Sequence, residues 1–118
     1  MDNDCYSCVV AGRALDLVVQ DLEHGRMHFD FKGRPLYIYT PWRHVTDVSE
    51  LSGEEWVAFY REMTDFMSRN LYTGYQIMMN FGNWVTHRSR HLHWKIACDE
   101  ATIYGHKSRH LRRVQNSR

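Results

Sequence analysis

The chain of 118 residues has no uninterrupted apolar run of the roughly 18 residues a membrane span requires, which excludes a hydrophobic spanning helix. Its opening residues, "MDNDCYSC", are acidic and carry no apolar core, so no secretory signal is legible there and a cytoplasmic protein is the expectation. Cysteine is scarce. Three residues without such a signal argue against a disulfide framework, and the Cys5-Tyr6-Ser7-Cys8 spacing turns attention to metal or redox chemistry. No internal repeat or low-complexity linker interrupts the sequence, and its length suits one compact domain rather than two of ordinary size.

What is present is globular: 43% of residues are hydrophobic and 14% aromatic. The formal net charge of +1 hides an uneven distribution. Residues 1–100 hold 10 Lys/Arg against 14 Asp/Glu, whereas residues 101–118 hold five basic groups and no acid. The chain therefore divides into a domain over residues 1–100 and a basic C-terminal tail over 101–118. That tail, "GHKSRHLRRVQNSR", could touch phosphates or an acidic partner, but a solvated and partly disordered terminus is the plainer reading, and nucleic acid is not the favoured partner.

"ALDLVVQD" is β-branched enough for a strand, "LEHG" reads as a turn, and "RMHFDF" alternates as a second strand. "KGRP" is another turn before "LYIYT", a third strand that Pro41 ends. "SGEEWVAFYREMTDFMSRNL" is the clear helix: Ser52 and Glu55 form a capping box, and Trp56, Phe59, Tyr60, Met63, Phe66 and Met67 recur at helical spacing as a core stripe. "TGYQIMMNF" and "HLHWKIA" supply a fourth and fifth strand. The order β-β-β-α-β-β predicts an α+β fold, an antiparallel sheet of about five strands covered on one face by one main helix.

In "HLHWKIA" a strand's period of two sends His91, His93 and Lys95 to one face and Leu92, Trp94 and Ile96 to the other. The apolar set belongs to the core. The polar set is open to two readings: an exposed face of ordinary residues, or a row that meets anions or metals. In the second, His93 attacks phosphorus through one ring nitrogen while a hydrogen bond at the other fixes the tautomer, and Lys95 neutralises phosphate oxygens.

The surrounding stretch, "MNFGNWVTHRSRHLHWKIA", resembles the signature of the histidine triad (HIT) superfamily, with Asn80, Gly82, His91, His93, Ile96 and Ala97 at the family spacing. "TPWRHVTDVSELSGEEW" is similar to the family's Pro-Lys-x-His segment and long helix, and "CYSC" sits where many members carry Cys-x-x-C. Two positions depart from the pattern: Lys95 stands at the third triad histidine, and Thr86-His87 replaces the usual Gly-Gln. The resemblance implies a nucleotide hydrolase or nucleotidyl transferase with His93 as nucleophile and Asn80, Lys95 and His87 as catalytic partners. It also implies that Arg88 and Arg90 add positive charge beside the phosphate and that Asp30 meets the ribose hydroxyls, although an Asp at a strand end is equally an ordinary turn initiator. A homodimer is expected. The alternative is a catalytically impaired, zinc-stabilised nucleotide-binding or interaction module.

A tetrahedral Zn²⁺ joins two thiolates to two further ligands, commonly imidazoles. Similarity to the zinc-containing branch of the superfamily proposes Cys5, Cys8, His44 and His91 as that set. The other readings of the cysteines are a free thiol pair or a thioredoxin-like redox motif, though the latter wants Cys-x-x-C opening a helix after a strand, which nothing in the sequence suggests. Cys98 reads as a small buried residue, and His24, His28, His106 and His110 receive no role.

Overall fold

A computed structural model describes residues 15–79 and 91–117. After a short 3-10 turn, Leu15–Leu17, come three strands, β1 (Val18–Asp21), β2 (Gly25–Phe29) and β3 (Leu36–Pro41). A second 3-10 turn, Val48–Glu50, precedes helix α1 (Gly53–Arg69), which is followed by β4 (Gln76–Met78), β5 (Trp94–Ala97) and helix α2 (Glu100–Asn116). The strands form one antiparallel sheet in the order β1-β2-β3-β5-β4. The α+β fold and its five-stranded sheet are as the sequence predicts.

Gly25 opens β2 against β3: a Cβ there would lie 2.5 Å from the Tyr39 ring and 2.8 Å from the Thr40 carbonyl, so only glycine lets these two strands approach. The β2–β3 turn uses Gly33 at φ +80°. Helix α1 begins on the expected capping box, with the Ser52 hydroxyl accepting from the Glu55 backbone N–H and Glu55 accepting from that of Ser52. Its buried face is Phe59, Met63, Phe66 and Met67. These pack against alternate residues of the sheet: Met27 and Phe29 of β2, Tyr37 and Tyr39 of β3, Trp94 and Ile96 of β5.

Two expectations need correction. The segment expected as a solvated, partly disordered tail is a 17-residue helix, α2, capped by the Asp99 side chain on the Thr102 N–H. Ile103 is buried, and histidines supply much of the inner face: His106 and His110 set their rings against Phe29, and His106 Nδ1 lies 2.7 Å from the Tyr37 hydroxyl. Sparse apolar residues concealed the helix from a periodicity reading. Secondly, the β5 ladder begins at Trp94, so His91 and His93 precede the pleat. His91 is 4% exposed rather than part of an open polar row.

Helix α1 ends through Leu71, which takes a left-handed conformation at φ 66° and is 87% exposed. The Tyr72 N–H reaches back to the Met67 carbonyl in the pattern that normally selects glycine at this position. A Cβ in this conformation costs about 1 kcal/mol, and the leucine recovers almost nothing by burial. Leu71→Gly is therefore expected to raise stability by about 0.5–1 kcal/mol and the Tm by a few degrees, measured by thermal unfolding.

Candidate functional site

The register defines the site face. Val18 pairs with His28, His28 with Ile38, Ile38 with Lys95 and Lys95 with Met78, so these five side chains form one row across all five strands on the face away from α1. His93 lies just ahead of β5, and Asp30 just past the end of β2.

His93 is partly buried, and its Nδ1 lies 3.0 Å from the His91 carbonyl. A carbonyl can only accept, so Nδ1 carries the proton and the lone pair resides on Nε2. Burial, reinforced by the charges of Lys95 and Arg34, holds its pKa below the ordinary imidazole value. At neutral pH this is an uncharged imidazole with a defined tautomer, the form a nucleophile needs. Burial, and then the charge of Arg34, also lowers the pKa of Lys95, whose ammonium shares the face with Arg34 and Lys32.

Asp30 is 4% exposed. Its carboxylate receives a two-pronged contact from Arg34, Nε to Oδ2 at 2.9 Å and Nη2 to Oδ1 at 3.0 Å, and the Arg34 backbone N–H also donates to Oδ2. Burial opposes the charged form, but these bonds outweigh it and keep the carboxyl below its usual range. The Asp expected to meet a ribose is thus already engaged by a neighbour in the same turn.

No family model and no curated protein matches the sequence. Solved structures do. The chain is similar to a HIT family hydrolase from Clostridium thermocellum (16% identity, 84% of this chain and 93% of that one covered, TM-score 0.68). It is similar also to a histidine triad protein from Clostridium difficile (17%, 84% and 93%, 0.69) and to a Hit-like protein involved in cell-cycle regulation from Bartonella henselae (13%, 94% and 96%, 0.68). The chain has the histidine triad fold.

Within this histidine triad fold, His93 and Lys95 share a region with Asp30, whose charge acts on both. His44 and His91 meet elsewhere, their Nδ1 atoms 3.2 Å apart. His91 Nε2 lies 3.1 Å from the Pro41 carbonyl, so Nε2 carries the proton and the Nδ1 lone pair points at His44. Two imidazole ligands on a tetrahedral Zn²⁺ at 2.0–2.1 Å would stand about 3.3 Å apart, so this pair fits that edge, and the bond to Pro41 supplies the outer-shell contact a metal-bound imidazole normally makes. Cys5, Cys8, Asn80, His87, Arg88 and Arg90 lie outside the described residues. Glu23, His24 and Glu62 also converge, on the α1 side, but Glu62 there accepts from the Tyr39 hydroxyl and the His24 backbone N–H.

Two residues of the site were not singled out from the sequence. Arg34 stands in the turn "KGRP", and its spacing of four from Asp30 is the signal in the sequence for this pair. His28 is 3% exposed, its ring stacks on Phe31 at 4.4 Å, and its Nδ1 donates to the Phe29 carbonyl. Burial lowers its pKa from 6.5 to about 4. Between these values the unfolded chain binds a proton that the folded chain refuses, so stability is full above pH 6.5 and falls as the pH drops towards 4. The loss due to His28 between pH 7 and pH 5 is about 2 kcal/mol. Urea unfolding at the two pH values should show it, and His28→Gln should remove most of that difference.

Proposed function

We propose that the chain is a nucleotide hydrolase or nucleotidyl transferase acting at the α-phosphate of a nucleotide conjugate. The observation that carries this is the tautomer of His93: Nδ1–H bound to the His91 carbonyl leaves Nε2 basic and uncharged, on a face where Lys95 and Arg34 supply positive charge. Nε2 forms a bond to phosphorus as the bond to the leaving group breaks; the leaving group departs with that electron pair and takes a proton from solvent. Water or another acceptor then attacks phosphorus, the P–N bond breaks, and the imidazole and the nucleotide are released. Two easier displacements replace one hard one. Lys95, with Asn80 and His87, stabilises the oxygens that gain charge, and Arg88 and Arg90 add to the field. Asp30 accepts from the ribose once Arg34 turns aside.

Cys5, Cys8, His44 and His91 hold a structural Zn²⁺ in this reading. The metal supplies cross-linking: it ties the N-terminal segment to the residues just ahead of His93. A homodimer is the expected assembly and the cytoplasm the expected location. No described helix is long and apolar enough to cross a membrane. Lys95 in the third position and an Asp30 already bound by Arg34 favour one second reading, a zinc-stabilised module that binds nucleotides without turning them over.

Turnover of an adenosine phosphoramidate and a diadenosine polyphosphate by wild type and His93→Ala decides between the two. Wild-type activity that falls about a thousandfold or more in the variant, with AMP binding kept, supports the enzyme. AMP binding with no turnover by either supports the module. Because His93 sits below the ordinary imidazole pKa, the acidic limb of kcat/KM should fall at a pH below 6.5. Elemental analysis should find one zinc per chain, reduced in His44→Ala and in Cys5→Ser, with the Tm lowered by a chelator in wild type alone.

A further inference from the structure

Helix α2 turns the basic C-terminal segment into a fixed surface. Successive residues advance by about 100°, so Arg112 and Arg113 lie about 60° and 40° to either side of Arg109, and the three arginines share an arc of about 100°. All three are exposed. The docked side carries Ile103, buried, and His106, His110, Leu111 and Val114, partly buried; Arg113 lies about 20° round the helix from His106 and borders that side.

The platform is held at several points: the Tyr104 hydroxyl donates to the Gly33 carbonyl, His106 meets the Tyr37 hydroxyl, and His110 Nε2 donates to the Asp16 carbonyl. The first of these ties α2 to the turn that carries Arg34. None of the three arginines forms an ion pair among the described residues. Residues 101–118 contain no acid, so like charges stand at i, i+3 and i, i+4, and the one acid of the helix, Glu100, lies in its first turn. Attraction to the helix C-terminus explains Arg113 in the last turn but not Arg109.

From this arrangement we infer that the Arg109-Arg112-Arg113 face of α2 binds the phosphate backbone of a nucleic acid. Three guanidinium forks at fixed spacing suit a row of phosphodiesters. A lipid surface suits the face less well, because the residues interleaved on it, Thr102, Gly105 and Asn116, include no large apolar side chain to enter a bilayer. The inference does not depend on turnover at His93.

Fluorescence anisotropy of labelled 12-nucleotide RNA and DNA, as single strands and as duplexes, with the full chain and with R109Q/R112Q/R113Q tests it. Wild-type affinity should fall linearly with log salt; the triple variant should bind at least about tenfold more weakly at 50 mM salt, its slope shallower by about 2 for three lost phosphate contacts. The variant should keep the wild-type Tm and AMP affinity; if its Tm falls, the single variants R109Q, R112Q and R113Q, each expected to lose about one third of that slope change, replace it. Absence of wild-type binding at 50 mM salt, equal binding by folded variants, or tighter binding to polyglutamate or to anionic phospholipid vesicles than to the oligonucleotides overturns the inference.

Discussion

The seating of Trp94 is the contact on which the rest of the molecule depends. Its indole is fully buried among Tyr39, Trp56, Phe59 and Tyr60, with centroid distances of 5.6 to 6.1 Å, and its N–H donates to the Tyr60 hydroxyl. A side chain this large, with one polar atom to satisfy, fits a densely packed core in one way. Because neighbours on a strand point in opposite directions, the indole that locks α1 to β5 also sends Lys95 to the other face. A slip of one residue would bring the ammonium into the core and the indole into water, a cost far above the stability margin of a domain of this size.

The two faces of the sheet solve different electrostatic problems. On the α1 side, buried hydroxyls pair with one another or with a single acid: Tyr37 meets Tyr72 and His106, and Tyr39 donates to Glu62. Burial raises the pKa of both tyrosines, so they remain neutral donors. On the opposite face, burial drives imidazoles neutral while cations stay charged, and Asp30 is the buried counter-ion among them. Uncharged bases beside fixed positive charge suit an anionic ligand, whose arrival would strengthen each of these interactions by excluding water.

How much of this could be read from the sequence depended on the range of each interaction. The Ser52–Glu55 cap and the stripe from Phe59 to Met67 are local, and both were legible. So was the alternation that buries Leu92, Trp94 and Ile96. Helix α2 was not, because its inner face relies on His106 and His110 docking on Phe29 and Tyr37, a partnership visible only when β2 and β3 are in place. Motif spacing singled out His93, but the tautomer that suits it to attack is set by a backbone carbonyl, and carbonyls leave no trace in a sequence. The same holds for Asp30: the letters allow a ribose partner or a turn partner, and the fold adds Arg34.

The fastenings of α2 also bear on the order in which the molecule assembles. They join residues 69, 71 and 94 positions apart, so each closes a long loop whose entropy must be spent before any contact is gained. Strand β3 likewise lies between β2 and β5, its second neighbour arriving only after α1 and β4 have been made. During synthesis β1, β2 and β3 can pair early and α1 can cover them, yet Phe29 lacks its His106 and His110 neighbours and Tyr37 its His106 partner until residues 100–116 have emerged. The nascent chain therefore passes through a stage in which the edge of this aromatic cluster is still uncovered, when a chaperone would find most to hold.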